Sequence, residues 1–429
     1  MVPYAERTQQ ELREELRRLQ VAYAAEKACG RKLDMSRGKP GRDQLALSMP
    51  MLTDVVSEED CFVDGVDARN YGVLTGLPAA KRLFADLLDV QPSQVLVGGN
   101  ASLQLMYDLI SKAFTHGLLH SPAPWRLRGT MRFLCPAPGY DRHFRITEQF
   151  GMELIPIAMT PNGPDMDAVE QWVKDPSVLG MWCTPKYSNP DGILYARQTI
   201  ARIAALRPAA PDFALMWDNA YCVHQFDGDF VPFPDMLSLC AANGNADMVY
   251  EFASTSKITF PGAGVACIAA SEANIAHLSK LLAVQIISFD KLNQLRHVRF
   301  LKDKQTTLQL MRRHAAILKP RFEAVSDALE REIVPLGIGH FNRPTGGYFI
   351  SLYAMHGTAK RALALAKEAG VTMTEAGATY PYGIDPFDSN IRIAPTLPPV
   401  KELEEAIAVF CICLRIAAVE QLLRAAPAE

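Results

Sequence analysis

The sequence predicts an α/β protein: a large domain whose mostly parallel sheet of seven strands is sandwiched by helices, with a smaller α/β domain beside it. Three observations lead there. Between Gln94 and Ala270, seven short apolar runs are separated in several places by helical patterns, which is how strands covered on both faces by helices read. A shorter set of helix and strand patterns follows beyond about residue 300. The 429 residues also exceed what one ordinary core organises, so two units are expected: residues 49–300 as the larger, and 1–48 together with 301–429 as the smaller.

The elements follow in order. Thr8-Gln-Gln-Glu11 has capping-box spacing, and Leu12, Leu16, Leu19 and Tyr23 share the face that follows, so an amphipathic helix is expected over 8–28. The loop Leu33 to Gly41 carries Gly38, Gly41 and basic side chains, where backbone can approach a small ligand; a surface turn is the plain alternative. The seven runs are Val95–Val97, Met131–Cys135, Leu154–Ile157, Gly180–Cys183, Phe213–Trp217, Met248–Phe252 and Val265–Ala270, with helices at Ser102–Phe114, Asp167–Val173 and Arg197–Leu206. Beyond the sheet, Asp290–Glu332 reads as one long helix bent or restarted at Pro320. Gly346–Leu352 and Asn390–Ala394 read as strands, and 360–369 and 400–424 as helices.

Composition narrows the function. About half the residues are apolar, the net charge is -3 and no run of lysine and arginine occurs, so no nucleic-acid partner is expected. Nine cysteines lie scattered with no C-x-x-C pair, which implies reduced, buried thiols, a cytoplasmic location and no metal site. The N-terminus lacks the apolar core of a signal peptide, and Arg415 and Glu420 interrupt the most apolar C-terminal stretch, so neither a bilayer span nor a membrane partner is expected.

In open parallel sheets, ligands bind at the carboxyl ends of the strands. Five polar sequences fall there: Gly98-Gly-Asn-Ala-Ser102, Pro136-Ala-Pro-Gly-Tyr140, Thr184 to Gly192, Asp218-Asn-Ala-Tyr221 and Ser254-Thr-Ser-Lys257. Lys257 sits at a strand end among small residues, where desolvation would lower its pKa and free its amine for Schiff-base chemistry; a solvated loop lysine is the alternative. Gly98 to Ser102 precedes a helix, so backbone N–H groups can cradle an anion such as a phosphate. No nucleotide-binding glycine loop follows the first strand. Asp218 ends a very apolar strand, where it either caps the next turn or faces a cationic ring nitrogen.

Together, from Gly38 to Arg392, these motifs resemble the fold-type I pyridoxal-phosphate enzymes of the class I and II aminotransferase family, most of all its aspartate aminotransferase-like, MocR-labelled subgroup. The resemblance implies pyridoxal 5'-phosphate as cofactor and a role for each matching residue. Lys257 matches the lysine that tethers the cofactor, and Asp218 the acid facing its pyridine nitrogen. Tyr221 and Asn189 match the donors to its phenolic oxygen, and Tyr140 the ring stacked on it. Gly99, Asn100, Ala101, Ser254 and Ser256 match the phosphate cup. Tyr71 matches the tyrosine that reaches the phosphate from a neighbouring subunit, implying a homodimer with shared active sites. Arg392 matches the arginine that grips the substrate α-carboxylate, with Gly38 and Lys39 beside the substrate. One departure stands out: many relatives carry a phosphate-binding arginine shortly after the lysine, and here Gly264 falls near that position.

The expected activity is transfer of an amino group from an amino acid, by resemblance an acidic one such as aspartate, to a 2-oxo acid such as 2-oxoglutarate. A second cation would then be needed, and Arg37, Lys39, Arg142 and Arg296 are candidates. The motifs discriminate poorly against a lyase or decarboxylase using the same lysine and aspartate. A ligand-sensing domain of a transcription regulator is the other alternative, disfavoured by the roughly thirty residues that precede Leu33.

Overall fold

A computed structural model describes residues 2–425. The main sheet is built from β1 (Val95–Val97), β2 (Arg132–Ala137), β3 (Glu153–Thr160), β4 (Gly163–Pro164), β5 (Val178–Cys183), β6 (Ala214–Asp218), β7 (Val249–Ser254) and β8 (Ala266–Ala270). Their spatial order is β1-β8-β7-β6-β5-β2-β3-β4. The strands from β7 across to β3 pair in parallel; β8 runs antiparallel to both its neighbours, and β4 folds back on β3. All seven expected strands are present, and the two-residue β4 is an eighth that the apolar pattern does not signal, since Gly163-Pro164 carries no run. Strands β5 to β8 are buried along their whole length, which is why they read as continuous apolar runs rather than alternating ones.

A second, antiparallel sheet joins β9 (Gly339–Phe341), β10 (Ile350–Ala354) and β11 (Asn390–Ile393). It shares a hydrophobic cluster with the first helix, α1 (Gln9–Ala28), and the last, Val400–Ala425, while the main sheet has its own cluster. Helix α1 begins as expected: Thr8 accepts from the Glu11 N–H, and Glu11 accepts from the Thr8 N–H at 2.7 Å.

Three expectations need correction. Residues 290–332 form two helices, Lys291–Leu301 and Lys304–Glu332; the break comes at Lys302, with φ +61°, and at Asp303, whose side chain accepts from the Thr306 N–H, while Pro320 lies inside the second helix. The strand expected from Gly346 starts at Ile350, because Gly346 and Gly347 make a close turn: a Cβ on Gly346 would fall 2.5 Å from the Tyr187 ring. Helix Val400–Ala425 is long and apolar enough to cross a membrane by length and composition. Its apolar character follows from burial, since Leu403, Phe410, Leu414 and Val419 lie in the second cluster and Arg415 pairs with Glu15 and Glu332. Helix Lys304–Glu332 packs on both clusters, giving Leu310 and Met311 to one and Leu318 and Phe322 to the other.

Candidate active site

Strand β7 runs into a turn that returns as β8, and Thr255 closes that turn from both sides. Its N–H donates to the Val265 carbonyl and its hydroxyl accepts from the Val265 N–H. Lys257 projects from this closed turn into a cavity of about 490 Å³ at the carboxyl ends of the parallel strands. Tyr140 enters from the end of β2, Thr184 and Asn189 from beyond β5, and Asp218 and Tyr221 from the end of β6. The far wall comes from elsewhere in the chain: Gly38 with Ser36 and Arg37, Phe349, Met373 to Glu375, and Arg392 on β11.

The Lys257 ammonium position is 4.7 Å from the centre of the Tyr221 ring, and Tyr348 lies beyond at 5.9 Å. Burial lowers its pKa, with the Asp218 carboxylate opposing, so the amine is biased towards the neutral, nucleophilic form. Burial drives the Tyr221 hydroxyl the other way, well above its ordinary value, so it stays a donor.

Asp218 is buried, and its Oδ2 accepts from His143 Nε2 at 2.9 Å. The His143 ring stacks on Trp182 at 4.4 Å with 7° between planes, and meets Tyr140 edge-on at 4.9 Å. The other oxygen, Oδ1, is buried without a hydrogen-bond partner. A buried carboxylate oxygen left so is costly unless a donor arrives, and the cation N–H of a heterocyclic ring has the right chemistry.

The expected phosphate cup does not line this cavity: Gly99, Asn100, Ala101, Ser254 and Ser256 meet where the loop between β1 and α2 (Ser102–Thr115) approaches the turn that carries Lys257. Helix α2 has no side-chain N-cap, so its first N–H groups are available to an anion. Ser256 donates to the Asn100 carbonyl at 3.4 Å, and Ser254 lies 3.2 Å from Ser256, which brings Gly99, Asn100 and Ala101 alongside both serines. Gly264 explains why no arginine occurs near it. A Cβ there would fall 3.0 Å from the Asn100 carbonyl and 3.3 Å from the Ser256 hydroxyl, so a side chain would crowd this loop. Asn100, Ser254, Ser256, Gly264 and the unpartnered Asp218 oxygen thus make a set that fits a phosphorylated, ring-nitrogen cofactor.

Arg392 is 10% exposed. Its Nη1 donates to Asp141 at 3.1 Å and to Asn189 at 3.4 Å, its plane lies 5.0 Å from the Phe349 ring centre, and its Nε is buried without a partner. Gly38 is pressed on Phe349, where any Cβ would meet the ring at 2.3 Å. Lys39 does not line the cavity: its side chain is exposed, and its carbonyl is held by Thr396. Arg296 does not line it either, lying on the helix 291–301; Arg37 and Arg142 do. Tyr71 is 79% exposed on a loop outside the cavity.

His143, Asp141, Thr184 and Phe349 were not singled out from the sequence. Asp141 alone carries a usable signal, because it opens the helix that starts directly after Tyr140 at the end of a parallel strand.

Comparison with known proteins gives a consistent result. The sequence matches the family described as aspartate amino-transferase over residues 7–426. It is 43% identical over 389 residues to an aspartate aminotransferase of Corynebacterium glutamicum, covering 91% of this chain and 90% of that one. It is 47% identical over 404 residues to a provisionally named aminotransferase of Mycolicibacterium smegmatis, covering 94% of each. The crystal structure of an aspartate transaminase of C. glutamicum superposes with a TM-score of 0.96 at 41% identity, covering 98% of this chain and 99% of that one. The chain therefore belongs to the aspartate amino-transferase family and is a fold-type I, pyridoxal-phosphate-dependent aminotransferase.

Proposed function

We propose that the protein transfers the amino group of an acidic amino acid, aspartate or a close analogue, to a 2-oxo acid such as 2-oxoglutarate. The observation that carries this reading is one cavity holding a buried lysine with a lowered pKa, a buried acid with one unpartnered oxygen, and two arginines, Arg37 and Arg392. Pyridoxal phosphate, when bound, supplies an electron-withdrawing ring that accepts the electron pair left when the substrate's α-proton departs.

The chain's residues do the rest. Asp218 Oδ1 keeps the ring nitrogen protonated, and His143 fixes the acid's orientation. Gly99, Asn100, Ala101, Ser254 and Ser256 would hold the phosphate, Tyr140 would cover the ring, and Tyr221 and Asn189 would donate to its phenolic oxygen. Lys257 would hold the cofactor through Nζ, and the same amine would carry the proton off the substrate's α-carbon. Arg392 grips the α-carboxylate. For the distal carboxylate we assign Arg37, which lines the cavity and has no acceptor among the described residues, whereas Arg142 lies 4.0 Å from Asp141.

A homodimer accounts for Tyr71: a tyrosine this exposed, on a loop outside its own cavity, suits a neighbour's site. Nine free cysteines, eight of them buried, suit a reducing cytoplasm. Borohydride reduction of the holoenzyme followed by peptide mapping should put the label on Lys257, and a panel of amino donors against 2-oxoglutarate should rank acidic donors first. A label elsewhere, or a neutral donor at the top, would overturn the respective assignment.

A further inference from the structure

We propose that Asp141 is a specificity-determining residue: its carboxylate occupies the two substrate-facing arginines in the resting site and must yield to an incoming carboxylate. The inference rests on Arg392 being the α-carboxylate anchor, as assigned above.

Asp141 is the first residue of the helix Asp141–Gln149, so its side chain is delivered to the cavity by the same strand end as Tyr140. One oxygen accepts from Arg392 Nη1 at 3.1 Å, and the other is 4.0 Å from Arg142 Nε. The chain thus places an acid of its own between two guanidinium groups that line the substrate cavity. With exposures of 10% and 19%, the Arg392–Asp141 pair is shielded from solvent, and its attraction is screened less than that of a surface pair.

The geometry of Arg392 turns this contact into a competition. Its Nε is buried, so two parallel N–H···O bonds to a substrate carboxylate must come end-on, from Nη1 and Nη2. Nη1 is the atom Asp141 already holds. A substrate carboxylate therefore displaces Asp141, which has Arg142 within reach as its alternative partner. In that position Asp141 keeps its negative charge inside the cavity, so it also repels the distal carboxylate assigned to Arg37. Asp141 accordingly weakens both carboxylate positions, and a diacid more than a monoacid.

The test uses holoenzyme and two unreactive ligands, succinate and propionate, with affinities read by titration calorimetry. Asp141→Asn is expected to bind succinate about tenfold more tightly and propionate about threefold more tightly than the wild type. Asp141→Ser, lacking the same charge, should reproduce both gains and decides the matter if the asparagine variant folds poorly. Glu375→Gln, an acid lining the cavity without a guanidinium contact, should change affinity less than twofold. Unchanged or weaker succinate binding in both Asp141 variants would overturn the proposal, since the acid would then orient Arg392 rather than compete for it. An equal gain in Glu375→Gln would overturn it too, by reducing the effect to net charge. Failure of the underlying reading looks different: Arg392→Gln would bind succinate as well as the wild type.

Discussion

Asp218 has one oxygen on His143 and the other without a partner, and His143 is in turn clamped flat on Trp182. Without that clamp the carboxylate could rotate away from a ring nitrogen above it. His143→Leu is expected to lower the single-turnover rate of the amino-acid half-reaction about 10- to 100-fold, the worth of one charge-assisted hydrogen bond, with little change in donor affinity. His143→Gln, which can still donate, should recover part of the loss; equal rates for leucine variant and wild type would remove His143 from the machinery. Arg37 is argued on the same scale. Arg37→Gln should cut kcat/KM for aspartate about 10- to 100-fold and that for alanine far less, as steady-state assays on the two donors would read. Lys257 and Asp218 could be picked out in the sequence because each is a costly residue type beside an apolar run, whereas Asn189 and Arg392 follow only from the resemblance to the aminotransferase family. His143 could not, since one histidine on a helix is an ordinary core residue until its neighbour Trp182, 39 positions away, is known to lie beneath it.

At the scale of elements, the turn carrying Lys257 is fastened from behind by a buried network. Gln44 donates to Tyr348 at 3.2 Å and lies 3.2 Å from His314 Nδ1; His314 Nε2 reaches the Ile258 carbonyl at 3.0 Å, and the Tyr348 hydroxyl the Lys257 carbonyl at 3.4 Å. Three segments far apart in sequence, 41–48, 304–332 and 346–349, thus meet behind the lysine. The Gly41 N–H also donates to the Gln44 side chain. Gln44→Leu leaves this N–H and the imidazole Nδ1 unpartnered in the interior, and should cost about 2 kcal/mol of stability in denaturant unfolding. A loss under about 0.5 kcal/mol would mean that water or a neighbour replaces the amide. The sequence held no trace of this network, because Gln44, His314 and Tyr348 become partners only through tertiary packing. It did hold the capping box of α1, which is complete within four residues.

For the molecule as a whole, Glu251 is one buried contributor to the pH dependence of stability that a single substitution isolates. Glu251 lies on β7 inside the main sheet, accepts from Asn219 at 2.7 Å, and burial raises its pKa from 4.5 to about 8 despite that bond. Between those values the folded chain keeps a proton that the unfolded chain has released. Stability from this group is therefore complete below about pH 4.5 and declines as pH rises to about 8. Glu251→Gln removes the titration: the variant should melt with the wild type near pH 4.5 and a few degrees above it at pH 8, in parallel thermal scans. Identical melting at both pH values would show that the carboxyl is not held neutral. The same whole-molecule view explains helix Val400–Ala425, whose apolar composition answers to the cluster it fills rather than to a lipid environment.

The sequence by itself determined the layered α/β plan, seven of the eight strands in the main sheet, the extent of α1 and the candidacy of the lysine and acid that share the cavity, while the arginine beside them followed only from the family resemblance. These are legible because strand burial, capping and the cost of a polar residue beside an apolar run are local, and each leaves its mark within about ten positions. Only the tertiary structure decided which cations face the substrate space, which acid already occupies them, why a glycine stands where an arginine is common, and what holds Asp218 in place. Those depend on distances between residues tens to hundreds of positions apart, such as Asp141 and Arg392, and chain-local patterns carry no information on such distances.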